Sequence, residues 1–370
     1  MYVENERMKI VIYVPSVTFD GRTGDSIHVR ELTKNLSKLG NKVIAVCKLK
    51  DQDYTNSVTI KQNSFPNIRV IGILLSVIYE LVLGIKMVMQ EKPDLIYTRN
   101  YHSFLSCILS NLFKCPKIVE VNGLLMEQMK MTSSNPWHNP IDYIISWLNE
   151  RSYKYSHHLV AVTPSIKKVL EIEHRIESEK ITVIPNGANT QLFKPMDTAK
   201  TKMDLNLAQN SKYICFVGNL APWQGVEFLI QSAPLILKEH PKTKFLIVGD
   251  GQMKEELIEL VDKTGVSDKF IFTGAVPYEE VPKYINASDF CVAPFIKERN
   301  MRIGLSPLKI YEYMSCGKPV VSSRIPNLEF IEQNNAGLLV ESENPKELAK
   351  AIIKLLKDER LRRELGENGR

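Results

Sequence analysis

Short apolar runs alternate with segments of helical spacing in the first half of the chain. Residues 9–14 form the first run, and residues 26–39 repeat apolar positions every three or four residues before Gly40, a typical helix C-cap. Residues 42–47 form the next run, and others begin at positions 94, 117 and 158. Nearly continuous apolar strands separated by helices are typical of a parallel, doubly wound sheet.

The same alternation begins again in the second half of the chain. Its predicted strands are 213–218, 244–251, 269–274, 289–294 and 318–323. A chain of 370 residues exceeds what one hydrophobic core usually serves. We therefore predict an α/β protein of two Rossmann-like, doubly wound domains that face each other across a cleft. They comprise residues 1–187 and 188–370, with a polar hinge at about 185–212.

Three predicted strands of the second half end in glycine, namely Gly218, Gly249 and Gly274. Ligands of open α/β sheets bind outside the carboxyl ends of the strands, and glycine lets a backbone approach a ligand closely. This pattern predicts a ligand site at that edge of the sheet, although tight turns alone also explain a single glycine.

The composition narrows the class of protein. Hydrophobic residues make up 44% of the chain and charged residues 24%, which is typical of a globular protein. The six cysteines have no CxxC or zinc-ligand spacing, so we interpret them as reduced packing residues of a cytoplasmic protein and predict no structural zinc. The apolar stretch 71–89 contains Glu80 and Lys86, which predicts an amphipathic or core helix instead of a membrane span.

The net positive charge of the chain lies in its first half. Residues 1–195 contain 24 lysines and arginines against 18 acidic residues, whereas residues 196–370 contain 24 of each. A solvated basic surface is the simplest interpretation. Contact with an anionic membrane or a phosphate-bearing substrate is the alternative. No basic-aromatic motif accompanies the charge, so we expect no nucleic-acid partner.

The stretch GLSPLKIYEYMSCGKPVV at 304–321 carries a lysine and a glutamate at the start of a predicted helix, which is an unusual position for a lysine. With Ser306 as N-cap, a helix is predicted to begin at Pro307, which puts Lys309 in a first turn that favours anions. The N–H groups of Leu308 and Lys309 would then bind a diphosphate, and Glu312 would accept hydrogen bonds from ribose. An exposed Lys–Glu pair is the alternative interpretation.

Several ordered motifs, which span most of the chain, resemble the retaining glycosyltransferases of the GT-B fold, family 4. They are GRTGDSIHVRELTKNLSKLGNKV, KPDLIYTRN, ITVIPNGANTQLFKP, FVGNLAPWQGVEFLI, FLIVGDGQMKEEL, ASDFCVAP and YEYMSCGKPVV. The resemblance implies that a sugar passes with retention from a UDP- or GDP-sugar, the donor substrate, to a glycan or lipid-linked acceptor in cell-envelope polysaccharide synthesis. It implies no cofactor and no metal, with the donor on the second domain and the acceptor on the first.

Residue by residue, the resemblance assigns Glu312 to the donor ribose and the N–H groups of Leu308 and Lys309 to the diphosphate. It also places Gly24 against the donor phosphates and Val276 against the base, with Gly218 and Gly249 in the donor site. Asn186 and Gly187 match a hinge turn.

The sequence departs from the family's pattern at four positions. Gly304 stands where the first glutamate of the E-x7-E motif is expected, with Glu298 as the nearest upstream carboxylate. Asn219 and Gln224 replace the usual arginine and lysine of the diphosphate site, and Asn122 replaces a histidine. We interpret Lys309 as compensating for the lost cations.

The resulting catalytic candidates are Lys309, Glu312 and Asn122, and Arg99 and His102 are candidates for acceptor contact. The alternatives are a non-catalytic nucleotide-sugar-binding partner and a nucleotide-sugar epimerase of the same fold. We expect a cytoplasmic protein that associates peripherally with the inner face of the plasma membrane through its basic half. The resemblance also leads us to expect a further helix after Arg370 that crosses to the first domain.

Overall fold

The computed structural model describes residues 7–19, 21, 23–49, 59–62, 71–125, 140–298 and 300–370. The chain forms two compact units, Met1–Pro185 and Asn186–Arg370. The unit boundary lies two residues before the end of the predicted first domain and at the start of the predicted hinge.

The first unit is built on a parallel sheet in the order β3-β2-β1-β4-β5-β6-β7. Its strands are β1 (Lys9–Thr18), β2 (Lys42–Lys48), β3 (Thr59–Gln62), β4 (Leu95–Arg99), β5 (Lys117–Val121), β6 (His158–Ala161) and β7 (Ile181–Val183). Its helices are α1 (Gly24–Lys38), α2 (Ile71–Glu91), α3 (Ser103–Phe113), α4 (Pro140–Ser152) and α5 (Pro164–Ile172).

Alternating side chains of β1 pack on opposite faces of this sheet. Val11 and Tyr13 join a core with α2 and α3, whereas Ile12 and Val14 join a core with α1. A strand that is buried on both faces reads as a continuous apolar run, which explains KIVIYV. The sheet therefore has helices on both sides, as the pattern predicts.

The second unit repeats this plan with the strand order β10-β9-β8-β11-β12-β13, again all parallel. Its strands are β8 (Lys212–Val217), β9 (Thr243–Val248), β10 (Phe270–Gly274), β11 (Phe290–Ala293), β12 (Val320–Ser323) and β13 (Gly337–Val340). Its helices are α6 (Thr198–Asp204), α7 (Val226–Glu239), α8 (Lys254–Lys263), α9 (Val281–Ala287), α10 (Asn300–Ile303), α11 (Leu308–Ser315), α12 (Phe330–Gln333), α13 (Pro345–Lys357) and α14 (Glu359–Gly369).

The predicted packing role of the cysteines is confirmed, because all six thiols are free and buried. The predicted helix at 71–89 is also confirmed as α2. Among the described residues, none of the helices combines the length and the apolar character needed to cross a bilayer.

Two glycines of the second unit provide a matched test of its packing. Gly225 and Gly265 have nearly the same left-handed φ, 67° and 68°. A methyl group on Gly225 would overlap the carbonyl oxygen of Pro294, whereas one on Gly265 would meet open space. We expect Gly265→Ala to lower the free energy of unfolding by about 1 kcal/mol. Gly225→Ala should lower it by about 3 kcal/mol, since overlap adds to backbone strain.

Thermal unfolding of the full chain, followed by circular dichroism, measures both variants. Equal losses would contradict the packing argument, because they would leave backbone conformation as the whole cost.

Candidate active site

The three predicted glycines lie side by side at the carboxyl edge of the second sheet. The Gly218 N–H donates to the carbonyl of Val248 at 2.9 Å, and the Gly249 N–H donates to the carbonyl of Gly274 at 3.0 Å. Gly249 has a φ of 142°, and a methyl group there would overlap the carbonyl oxygen of Gly218. This close approach requires glycine and leaves an edge lined by backbone.

Helix α11 starts at this edge, one residue later than predicted. Its N-cap is Pro307, whose extended φ and ψ of −81° and 129° exclude it from the helix, so the predicted Ser306 cap is wrong. The Ser306 hydroxyl instead accepts from the backbone N–H of Asn186 at 2.8 Å and bonds the Tyr311 hydroxyl at 3.0 Å. Leu308 is therefore the first helical residue.

Lys309 is buried in the first turn of α11, only 9% exposed, which rules out the alternative of an exposed Lys–Glu pair. Its Nζ donates to Oε1 of Gln224 at 2.7 Å and lies 3.9 Å from the centre of the Phe216 ring. A methyl group on Gly218 would come within 2.5 Å of this Nζ. Gln224 thus binds the ammonium group at the glycine edge, and Gly218 leaves the space that this group occupies.

Glu312 is buried one turn further along α11. The Tyr278 hydroxyl, which follows β10, donates to its Oε1 at 3.1 Å, and the Tyr278 ring packs on Phe193. Tyr278 was not among the predicted site residues, although its position just after a strand that ends in glycine was a usable signal. The Tyr313 hydroxyl accepts from the Val217 N–H at 2.7 Å and so ties α11 to β8.

Burial disfavours both charges of this pair. It lowers the pKa of Lys309 to about 7, against the attraction of Glu312. It raises the pKa of Glu312 to about 7, against the Tyr278 hydrogen bond and the charge of Lys309. An anion beside Lys309 would favour its protonated form. The site is therefore suited to binding a negatively charged group.

Gly304 has a structural reason to be glycine. Its φ is 64°, and a side chain there would overlap Asn327. A glutamate therefore does not fit at this position, and Glu298 is an exposed residue of the preceding turn. Asn219 is exposed directly after Gly218, and Val276 is half-buried in the loop after β10.

The remaining predicted residues belong to the first unit. Arg99, His102 and Asn122 line one cavity of about 460 Å³, together with Asp25 and several hydroxyl-bearing residues. Gly24 begins α1 beside this cavity, and its predicted contact with donor phosphates stays a prediction. The structure brings the acceptor-side candidates together.

A buried ion network supports this cavity. Arg99 ends β4 and donates from Nε to Glu120 at 3.1 Å and from Nη1 to Asp25 at 2.9 Å. Glu120, in β5, also accepts from Tyr97 at 2.7 Å and lies 2.7 Å from the ring of His28. Asp25 and Glu120 were not among the predicted site residues, although for Glu120 a carboxylate inside a buried strand is itself a signal.

The ionisation states follow from these contacts. Burial tends to raise the pKa of Glu120, but the Arg99 charge and the bonds from His28 and Tyr97 outweigh it and lower this pKa to about 2. Burial lowers the pKa of His102 to about 3, and the charge of Arg99 adds to this effect. His102 is therefore neutral at pH 7, and its Nε2 bonds the Ser16 hydroxyl at 2.9 Å.

No group of three or more metal-ligating side chains (His, Cys, Asp, Glu) occurs in the described part of the chain. His157 accepts from the backbone N–H of Lys117 at 3.2 Å, and His158 bonds Thr182 at 2.8 Å. Both rings thus have protein partners.

Two family models match the chain. "Glycosyltransferase Family 4" matches residues 23–192 and "Glycosyl transferases group 1" matches residues 197–370. An uncharacterized glycosyltransferase of Methanocaldococcus jannaschii is 24% identical over 97% of this chain and 92% of its own.

Solved structures share the fold of the whole chain. Sucrose-phosphate synthase from Thermosynechococcus elongatus superposes with a TM-score of 0.77 at 21% identity, covering 98% of this chain and 93% of its own. Anabaena HepE in complex with UDP-glucose superposes with a TM-score of 0.76 at 18% identity, with coverages of 98% and 93%. Two Rossmann-like units in one chain are typical of the GT-B class of glycosyltransferases. The chain belongs to its family 4, group 1 glycosyltransferases.

The Arg99 network predicts a specific acid sensitivity. Because the pKa of Glu120 is about 2 in the folded state against 4.5 ordinarily, its charge stabilises the fold above about pH 4.5. This stability is lost as the pH falls from about 4.5 towards 2. Glu120→Gln should lower the free energy of unfolding at pH 7 by about 3 kcal/mol and weaken its dependence on acid pH.

Asp25→Asn is the matched control, since it removes the other carboxylate from Arg99. The Asp25 side chain is 55% exposed, so the expected loss is at most about 1 kcal/mol. Urea unfolding of both variants between pH 7 and about pH 3 measures the difference. An Asp25 variant as unstable as the Glu120 variant would contradict this account.

Proposed function

We propose that the protein is a retaining glycosyltransferase that moves a sugar from a nucleoside-diphosphate sugar, UDP-linked in preference to GDP-linked. The observation that carries this proposal is the buried Lys309 ammonium, held at the glycine edge by a neutral amide. A buried cation without a carboxylate bonded to it suits an anionic ligand. The UDP-glucose complex of HepE, which has the same fold, supports the choice of UDP.

The chemistry assigned to these residues is front-face substitution. The bond from the sugar's anomeric carbon to the diphosphate oxygen breaks, and the acceptor hydroxyl bonds the same face of that carbon. The acceptor's proton passes to the departing phosphate oxygen, so this route needs no protein base. Lys309 and the N–H groups of Leu308 and Lys309 stabilise the charge that develops on the diphosphate. Glu312 accepts from the ribose hydroxyls.

The first unit is proposed to receive the acceptor. Its cavity is lined by hydroxyl groups, by the neutral His102 and by the amide of Asn122, all of which can hydrogen-bond sugar hydroxyls. The Arg99 charge is already balanced by Glu120 and Asp25, so the cavity favours a neutral ligand over an anion. We infer a glycan or lipid-linked acceptor in cell-envelope polysaccharide synthesis, used at the inner face of the plasma membrane.

Gly304 favours one alternative, a non-catalytic nucleotide-sugar-binding partner. The absence of the first E-x7-E glutamate removes a carboxylate from the sugar side of the site, while Lys309 and Glu312 remain. Such a protein would bind donor without transferring it.

A donor panel tests the proposal. UDP-, GDP- and ADP-sugars are screened by thermal shift, and a UDP-sugar is expected to raise the unfolding temperature by several degrees. Transfer is then measured with envelope glycan acceptors, and NMR of the product gives the anomeric configuration. If no donor stabilises the protein, the proposed donor site is wrong. Binding without transfer would favour the non-catalytic alternative. Interconversion of donor sugars without acceptor would favour the epimerase.

Moving the charge tests the role of Lys309. Lys309→Met should weaken UDP about thirtyfold and uridine little, because the lost charge-assisted bond belongs to the diphosphate. Gln224→Lys combined with Lys309→Met should recover about tenfold, since the Gln224 amide ends 2.7 Å from the Lys309 ammonium. Glu312→Gln should weaken UDP and uridine alike. Calorimetric titration of the three variants with both ligands measures these effects.

The wild-type preference for UDP over uridine should also fall as the pH rises above about 7. The diphosphate binds the protonated ammonium, and Lys309 loses its proton as the pH rises through its pKa of about 7. Lys309→Met combined with Glu312→Gln serves as control and should show no such fall, because it lacks both groups whose pKa is about 7. A preference independent of pH in both proteins would refute the assignment.

A further inference from the structure

Exposed apolar side chains concentrate on helices α2 and α4 of the first unit and at the end of α3. Helix α3 packs against both α2 and α4, and its residues 103–110 are covered. The outer helix face is defined by its exposed residues Leu75, Ile78, Val82, Met89, Leu112, Tyr143, Ile144, Trp147 and Tyr155. In the second unit, the exposed large apolar residues described lie on four separate elements, at Met203, Leu235, Ile258 and Met301. Scattered residues are ordinary, whereas exposed apolar residues grouped on neighbouring helices indicate an interaction surface.

Helix α2 is apolar on two opposite sides. Residues 75, 78, 82 and 89 recur at helical spacing and form one exposed stripe, while Met87 and Val88 face the core. Lys86 is exposed and lies within the same stripe, between Val82 and Met89. A helix that is apolar on both sides normally has a second cover.

The fully exposed charges that the structure describes on these helices are basic. Lys86 and Arg151 are the exposed charged side chains that the structure describes on α2, α3 and α4. The Arg151 guanidinium lies 5.1 Å from the Trp147 ring centre, and the ammonium of Lys154, just beyond α4, lies 4.8 Å from the Tyr155 ring. Trp and Tyr beside basic residues are typical of the membrane–water interface.

We propose that the outer helix face docks on an anionic lipid leaflet. Its apolar and aromatic side chains enter the headgroup region, and Lys86, Arg151 and Lys154 meet the lipid phosphates. The excess of basic residues in the first half of the chain adds to this attraction. The proposal rests on the proposed function for its choice of the inner leaflet, where a lipid-linked acceptor would be reached.

A second copy of the chain fits this face less well than lipid does. A two-fold dimer would bury the same basic surface of both copies in one interface. Repulsion between like charges opposes that arrangement, whereas an anionic surface neutralises all of them.

Vesicle sedimentation with the full chain tests the proposal, without donor or acceptor. Vesicles of phosphatidylcholine with phosphatidylglycerol should bind the protein, and vesicles of phosphatidylcholine alone should bind it far less. Ile78→Ser with Val82→Ser should weaken binding about tenfold by removing apolar contact. Arg151→Glu with Lys154→Glu should weaken it about thirtyfold and remove most of its salt dependence.

Matched control pairs change the same properties elsewhere on the surface. Leu235→Ser with Ile258→Ser and Lys238→Glu with Lys242→Glu alter exposed residues of the second unit and should leave binding unchanged. All variants should keep the wild-type unfolding temperature and thermal shift with donor. Because the vesicle assay contains no donor or acceptor, its failure and a failure of sugar transfer are separate results.

Three outcomes would overturn the proposal. The first is no sedimentation of the wild-type protein with anionic vesicles. The second is an equal loss of binding in the control pairs. The third is a vesicle-free dimer, seen by analytical ultracentrifugation, that Ile78→Ser with Val82→Ser dissociates, since a second copy would then occupy the face.

Discussion

Burial of the Lys309 ammonium is the constraint on which the candidate donor site depends. A buried cation needs hydrogen-bond acceptors and space, and three neighbours supply them. Gln224 offers an amide oxygen, the Phe216 ring offers its π face, and Gly218 leaves the volume that a side chain would fill. The glycine edge and the start of α11 are thereby held together.

The two units treat a buried charge at a sheet edge in opposite ways. In the first unit, Arg99 is neutralised by Glu120 and Asp25, which leaves a cavity suited to hydroxyl groups. In the second unit, Lys309 bonds the neutral amide of Gln224 and keeps its capacity for an anion. A lysine at position 224 would repel Lys309, so the loss of the family's usual cation there and the presence of Lys309 are consistent with each other.

Local signals in the sequence were sufficient for the fold and for bringing out the residues at the centre of the candidate donor site. Strands buried on both faces must be continuously apolar, so their alternation with helices predicted both parallel sheets. The placement of Gly218, Gly249 and Gly274 followed from the same pattern. Lys309 and Glu312 were found because a cation in the first turn of a helix breaks a local electrostatic rule, and such exceptions mark functional sites.

What the sequence by itself determined was therefore the order of elements and the residues whose local context is unusual. Only the tertiary structure decided which partners those residues meet. Gln224 reaches Lys309 across 85 positions, and Glu120 reaches Arg99 across 21. The cap at Ser306 was mispredicted because its hydroxyl bonds the distant backbone of Asn186. Periodicity and capping act within a few residues, whereas these contacts depend on how separate strands are brought together.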